Sequence, residues 1–176
     1  MTRNVSKGLP IKALQEHFVN CLKGAVESRS NIAIKPLLVN IKKPYSLKFR
    51  VYLFNCGNPP GGRPIDEHKI VLNVDQAYGT RGNFDISNGR FALVVGYVRT
   101  YDIFVLWDSS KHKNFAYNKN LQVKADTILN AFINPTSQQQ RHTNNGEEII
   151  IAARSEYLLQ AIMERVDIMY AELLGE

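Results

Sequence analysis

The chain of 176 residues has few of the residues that build covalent or metal-centred chemistry. It holds only two cysteines, Cys21 and Cys56, and neither has the Cys-x-x-Cys or Cys/His spacing of a zinc site. No apolar run approaches the roughly 18 residues of a membrane span, and the N-terminus lacks a signal-peptide pattern. We therefore expect a cytoplasmic protein with reduced thiols, no metal and no membrane association.

Nucleophilic and cofactor motifs are missing as well. There is no Gly-x-Ser-x-Gly elbow, and the four histidines lie in unrelated contexts. Gly57, Gly61 and Gly62 do not have the spacing of a Walker or dinucleotide loop. The sequence therefore predicts no cofactor.

Aspartate is absent from residues 1–65, and this weakens the one catalytic fragment in the chain. Glu67-His68-Lys69 is similar to the second half of a metal-dependent nuclease site, where a carboxylate holds Mg²⁺ and a lysine assists the attacking water. Such a site needs a further Asp from a preceding strand. A small Mg²⁺-dependent nuclease using Glu67 and Lys69 is thus an alternative, and pairing of Asp66 or Glu67 with Arg63 or a neighbouring cation is favoured.

Charge is unevenly distributed along the chain, whose net value is +6. Residues 1–60 hold ten Lys/Arg against two Glu, whereas residues 146–176 hold two Arg against seven acidic residues. The N-terminal part is therefore suited to attract phosphate, and the C-terminal part is not.

Apolar periodicity predicts a helix near each terminus and strands between them. Leu14, Phe18 and Leu22 follow helical spacing within residues 9–28, and Ser155 is a suitable N-cap for a C-terminal helix. From Lys48 the period becomes two, which predicts a half-buried strand with Lys48, Arg50 and Tyr52 on its polar face.

Three strands are predicted to follow one another as a meander in residues 84–108. Asn88-Gly89 favours a type I′ hairpin turn, and residues 99–102 favour a second turn. Residues 135–148 are polar and are predicted to be a long loop. We expect one domain over residues 1–176, of α+β class, with a curled antiparallel sheet or open β-barrel flanked by N- and C-terminal helices.

Three loop clusters mix cationic, amide and aromatic side chains, the types that bind phosphates and base edges. The first cluster is residues 42–45, the second is residues 78–83, and the third is residues 111–114 with 117–120. We expect Gly79 and Gly82 to let the second loop approach a groove closely. Arg63, outside the clusters, is also a candidate DNA-binding residue. The candidates within the clusters are Lys42, Lys43, Tyr45, Tyr78, Arg81, Asn83, Lys111, His112, Lys113, Asn114 and Lys119.

The segment spanning residues 49–123 resembles a segment of bacterial restriction endonucleases. The resemblance is carried by FRVYLFN, GRPIDEHKI, GRFALVVGY, DIFVLWD, the following His112, and NLQV. It implies a DNA-recognition domain, with a B3-like pseudobarrel as the fold and double-stranded DNA as the partner. A separate nuclease or ATPase domain or subunit would then do the cutting.

The leading hypothesis is a sequence-specific double-stranded DNA-binding domain of a restriction-modification enzyme, without catalytic activity of its own. The lysines would contact phosphates, and Arg63, Arg81, Asn83, His112 and Asn114 would contact bases. Besides the nuclease, two alternatives are a modified-base reader of the SRA-like kind and a protein-interaction module acting through the acidic C-terminal helix. The sequence itself reveals no pocket for a flipped base.

Overall fold

The computed structural model describes residues 7–58 and 66–176, and these form three α-helices and nine strands. The helices are α1 (Ile11–Cys21), α2 (Ala125–Ile133) and α3 (Leu158–Leu174). The strands are β1 (Val26–Arg29), β2 (Leu37–Ile41), β3 (Lys48–Asn55), β4 (Glu67–Val71), β5 (Phe91–Val98), β6 (Ile103–Trp107), β7 (Asn120–Lys124), β8 (Thr136–Thr143) and β9 (Gly146–Arg154).

Seven strands form one sheet in the order β1-β2-β3-β5-β6-β9-β8, and β4 pairs with β7 in a separate two-stranded sheet. Among the described strands, β3 and β5 run parallel, with Phe49 opposite Phe91, and the other pairs are antiparallel. The predicted α+β class with terminal helices is confirmed, and the mostly antiparallel sheet is not closed into a barrel.

Each face of the large sheet is covered by a different layer. On one face, α1 and α3 pack through residues such as Phe18, Leu158 and Ile162. On the other face, the small sheet, α2 and the segment after β4 pack around Trp107 and Phe115. Because both faces are covered, the central strands are buried throughout.

The prediction of a cationic, solvent-facing side for β3 is wrong. Arg50 and Tyr52 are buried, and the strand is covered on both faces along most of its length. The Arg50 guanidinium nitrogen Nη1 donates to the backbone oxygen of Asp85 at 2.8 Å, and the Tyr52 hydroxyl accepts from the Asp85 amide at 2.9 Å. The alternating polar residues of β3 therefore form hydrogen bonds with the segment before β5 instead of facing solvent.

The predicted turn at Asn88-Gly89 has the expected backbone, but the hairpin around it is wrong. Both residues have positive φ, 61° and 65°, as a type I′ turn requires. Residues 84–90 nevertheless form no strand, and β5 pairs with β3 on one side and β6 on the other. Of the predicted meander, only the turn between β5 and β6 joins neighbouring antiparallel strands.

The predicted polar loop at residues 135–148 is also wrong, because most of it is β8, an eight-residue edge strand paired with β9 along its whole length. Polar side chains fit an edge strand because one face lies against water. At its buried side, Gln139 accepts from the Lys124 amide at 2.9 Å and from the Thr127 hydroxyl at 3.0 Å.

Candidate nucleic-acid interface

The first predicted cluster lies on the tight turn between β2 and β3. Lys42, Lys43 and Tyr45 are exposed there. The Ile41 amide donates to the Leu47 carbonyl at 2.7 Å, which closes the turn and holds the two lysines at the start of β3.

The second and third clusters, far apart in sequence, are joined by backbone hydrogen bonds. The Gly82 and Phe115 amides each donate to the other residue's carbonyl at 2.9 Å. The Asn83 side-chain oxygen accepts from the Asn114 amide at 2.8 Å. The two loops therefore form one surface, and their side chains are positioned together.

Exposed aromatic rings lie on this joined surface. Tyr78 is 88% exposed, and its ring meets that of Tyr117 edge-on at 5.4 Å. Arg81 and Lys113 are exposed beside them. An exposed tyrosine ring packed against a half-buried one and flanked by cations is the composition expected of a surface that contacts bases and phosphates.

Position 82 requires a glycine because side chains of the protein itself lie close to its Cα. An added Cβ would lie 2.6 Å from the Phe115 ring and would also collide with the Gln76 side chain. The expectation that this glycine lets the loop approach a groove is thus replaced by a packing requirement that holds the two loops together.

The strand directions bring these segments to the same end of the large sheet. Where β3 and β5 begin, β6 ends and β9 begins, so residues 42–47, 84–90 and 108–119 lie at what we call the loop end. The strands β2 and β6 are three places apart in the sheet, or about 14 Å at about 4.8 Å per strand. This separation is comparable to the width of a DNA major groove, about 12 Å.

Nine of the predicted residues form what we call the loop surface. Lys119 is half-buried, and burial lowers the pKa of its ammonium although the nearby Glu148 carboxylate opposes this. The prediction for Arg63 lies outside the described residues. The loop surface consists of Lys42, Lys43, Tyr45, Tyr78, Arg81, Asn83, Lys113, Asn114 and Lys119.

His112, a predicted base reader, lies beneath this surface and is buried. Its Nε2 is 2.8 Å from Glu148 Oε1, and its Nδ1 is 3.4 Å from the Lys119 ammonium. Because an ammonium group only donates, Nδ1 accepts and Nε2 donates to the carboxylate. Both ring nitrogens are therefore engaged inside the protein, and we leave His112 out of the proposed contact surface.

A buried ionic network holds the base of the loop end. Asp108 and Glu148 have no exposed surface, and Arg165 of α3 reaches Asp108 Oδ2 with its Nη2 at 3.2 Å. Asp108 also accepts from the Ser110 amide at 2.9 Å, as expected of a residue that orients the loop after β6. Burial lowers the pKa of Arg165, and Asp108 and Glu148 oppose that effect.

Lys111 has an ionic partner that the sequence did not predict. Its ammonium lies 3.1 Å from Glu172 near the end of α3, and its side chain is 15% exposed. This pair ties the acidic helix to the loop end, so Lys111 is less available to phosphate than the exposed Lys113.

A second polar cluster lies at the opposite end of the sheet, around Asp102 in the turn between β5 and β6. Its carboxylate accepts from Tyr97 at 2.7 Å and from Ser155 at 2.6 Å, and lies 2.9 Å from His17. Partial burial would raise the pKa of Asp102, but the hydrogen bonds from Ser155, Tyr97 and His17 outweigh it and lower the pKa. Ser155 thus bonds to Asp102 and does not cap the C-terminal helix with its side chain.

Cys21 lies beside this cluster without the properties of a nucleophile. Its sulfur is nearly equidistant from the two ring nitrogens of His17, at 3.7 and 3.8 Å, so it does not lie along either nitrogen's hydrogen-bond direction. Burial, together with Asp102, raises its pKa to about 11. The neutral thiol is therefore the dominant form at neutral pH.

Glu67 and Lys69 lie on one face of β4, opposite Lys124 and Gln122 of β7. Within residues 7–58 and 66–176, no three His, Cys, Asp or Glu side chains are grouped so that they could hold a metal ion. In the same part of the chain, no helix has the length and apolar character needed to cross a membrane.

Sequence reasoning missed the ionic network, although a signal was present. Arg165 lies three residues after Ile162 and seven after Leu158, on the apolar stripe of the last helix. Glu148 directly precedes the apolar run Ile149–Ile151. A charge at a core position in each of two elements indicates a buried pair.

Comparison with known proteins identifies a family for this chain. The family model MTaX1, described as methylase-associated X1, matches residues 47–162, about two thirds of the chain. No curated protein and no solved structure shows a significant match. The matched range includes β3 to β9 and thus every described loop of the loop end except the turn between β2 and β3.

Proposed function

The chain belongs to the methylase-associated X1 family, and we propose that it is a target-recognition domain that binds double-stranded DNA in a restriction-modification system. The family description associates it with a methylase, and a partner enzyme would supply the chemistry. The proposed partners are methylase, nuclease or ATPase domains or subunits of the same system. A cytoplasmic location accompanies this proposal.

The observation that carries the proposal is the convergence of two distant loop clusters on one surface. The Gly82–Phe115 and Asn83–Asn114 hydrogen bonds join the loop that carries Tyr78 and Arg81 to the loop that carries Lys113. Cations on such a surface bind phosphates, and amide, guanidinium and aromatic groups contact bases.

The distribution of charge also favours the loop surface as the side of the protein that faces DNA. Three of the seven acidic residues in 146–176 belong to α3, on the face opposite the segment that carries Tyr78 and Arg81. Lys111 neutralises Glu172 where α3 reaches the loop end. A duplex would therefore meet the loop surface in preference to the helical face.

The test is a binding series on duplexes of varied sequence across a range of salt concentrations. Each lysine that contacts a phosphate should contribute about 0.9 to the slope of log K against log salt. Lys43→Ala and Lys113→Ala should each lower the slope by about that amount, and Lys111→Ala by less, because its ammonium already pairs with Glu172.

Lys12→Ala is the matched control. Lys12 is exposed on α1, whose start is fixed to the far end of β3 by the Leu9–Asn55 hydrogen bond. Its removal should leave the slope unchanged. Uniformly weak binding to every duplex at about 100 mM salt, or an equal effect of Lys12→Ala, would contradict the proposal.

A further inference from the structure

A small cavity opens beside the loop surface, between β3 and the segment that follows β4. Its volume is about 250 Å³, and its apolar wall includes Pro36, Tyr52 and Phe54. Sites for drug-sized ligands occupy about 300–1,000 Å³, so this cavity suits one small ring system. Aromatic and proline side chains offer flat surfaces on which a planar ring can stack.

Arg50 brings hydrogen-bond donors to the cavity wall. Its side chain is 9% exposed, and Nη1 is held by the Asp85 carbonyl at 2.8 Å and by the Asp85 carboxylate at 3.2 Å. Within the described part of the chain, Nε and Nη2 of Arg50 have no hydrogen-bond partner. A guanidinium fixed at one nitrogen and free at the others can donate to adjacent acceptors on a flat ligand.

The remaining polar groups favour a neutral base over a phosphate. Asp75 and Asp85 line the same cavity, together with Asn73, Asn83 and the exposed Lys35. Hydrogen bonds from the Ser87 hydroxyl and amide, with a smaller effect of Arg50, lower the pKa of Asp85. The two carboxylates offset the charges of Arg50 and Lys35, so the lining has no net positive charge to attract a phosphate, and they accept hydrogen bonds from the exocyclic amino groups of a base.

We propose that this cavity holds a single nucleobase turned out of the duplex. This inference rests on the proposed function and names what the domain recognises. Asn83 links the two regions, because it lines the cavity and its side chain also accepts from Asn114 of the loop surface. A duplex bound on the loop surface therefore has the cavity beside it, and the bound base would be recognised by its edge and by stacking.

The first measurement compares paired and mispaired DNA. Everting a base breaks its pairing and stacking, so a duplex with one central mismatch should bind about tenfold or more tightly than its matched counterpart. With 2-aminopurine at the mismatched position, binding should raise its fluorescence, because the everted ring loses its stacking on neighbouring bases.

Variants of the cavity separate this inference from the proposed function. Asn73→Ala changes an exposed side chain, and Phe54→Leu keeps an apolar wall but loses the ring. Both should reduce the preference for mismatched DNA to near unity and suppress the fluorescence rise. Lys43→Ala should weaken binding to both duplexes equally and keep the preference.

Each outcome has a distinct meaning. Duplex binding with no mismatch preference and no fluorescence change would overturn the cavity inference and leave the proposed function intact. A preference that persists unchanged in both cavity variants would also overturn it. Absence of binding to any duplex would reject the proposed function itself.

Discussion

Two aspartates flank the same buried strand, β6, and differ in how the protein satisfies their charge. Asp102 before the strand has a side chain 53% exposed, and it is held by Tyr97, Ser155 and His17. Asp108 after the strand is fully buried and is paired with Arg165. A carboxylate that water reaches needs only hydrogen bonds, whereas a fully buried one needs a cation.

The difference separates the two ends of the molecule by role. At the far end, the Asp102 carboxylate joins α1, β5 and the start of the last helical segment through contacts with His17, Tyr97 and Ser155. At the loop end, the Asp108–Arg165 pair and Glu148 support the loops that we propose to contact DNA. The stability of the loop end therefore depends on a buried ion pair, in which removal of one charge leaves the other buried and unpaired.

Removal of the Arg165 cation is expected to have the largest effect. Arg165→Met leaves Asp108 buried without its cation, and should lower the free energy of unfolding by about 3–5 kcal/mol. Urea unfolding at neutral pH measures this. Arg29→Met, at an exposed residue, is the control and should change it by less than about 0.5 kcal/mol. A small loss in Arg165→Met would show that the network contributes little.

A methyl group added where the two loops meet should have an intermediate effect. Gly82→Ala places a Cβ against Phe115 and Gln76, and overpacking of this kind costs about 1–3 kcal/mol. Gly24→Ala is the matched control, because nothing lies within 4 Å of its added Cβ. The midpoint temperature of thermal unfolding and the DNA affinity should both fall for Gly82→Ala and stay unchanged for Gly24→Ala. Equal midpoints and equal affinities of the two variants would contradict the packing argument.

Neutralising Asp102 should have the smallest effect, and one that depends on pH. The pKa of Asp102 is lowered in the folded state, so its contribution is present above its unfolded pKa of about 3.9 and is lost as pH falls through the folded value. Asp102→Asn should therefore be less stable by about 1 kcal/mol at pH 7, because water screens the exposed carboxylate.

The difference between Asp102→Asn and the unmodified protein should shrink as the pH falls below the unfolded pKa towards the lowered folded pKa, where the native carboxylate is protonated as well. Urea midpoints across pH 3–7 measure it. A gap that stays constant with pH would mean that the charge of Asp102 does not contribute.

Local patterns in the sequence were enough to predict much of the fold. The terminal helices, the strand character of β3, β5 and β6, and the positive φ at Asn88 and Gly89 follow from short-range periodicity and turn chemistry. The exposure of Lys42, Lys43 and Lys113 also follows, because charged residues next to turn-forming Pro or Asn lie in loops.

Other features depend on which strands pair with each other in the folded protein. The parallel pairing of β3 with β5 sets aside the local hairpin signal at Asn88, and pairing with β9 converts the polar segment Thr136–Thr143 into a strand. β5 begins 36 residues after the end of β3, whereas β9 begins only three residues after the end of β8, and in both cases strand pairing overrides the local preference.

The composition of the sequence by itself determined an α+β chain with a basic half, an acidic last helix and exposed basic loops, because charge, periodicity and turn residues act locally. Only the tertiary structure decided which cationic and polar side chains face solvent. Arg50 and His112 are buried because Asp85 and Glu148, 35 and 36 residues away, supply their partners. The same long-range packing joined Asn83 to Asn114 and formed the cavity beside them, since hydrogen-bond partners and cavity walls come from segments that only the fold brings together.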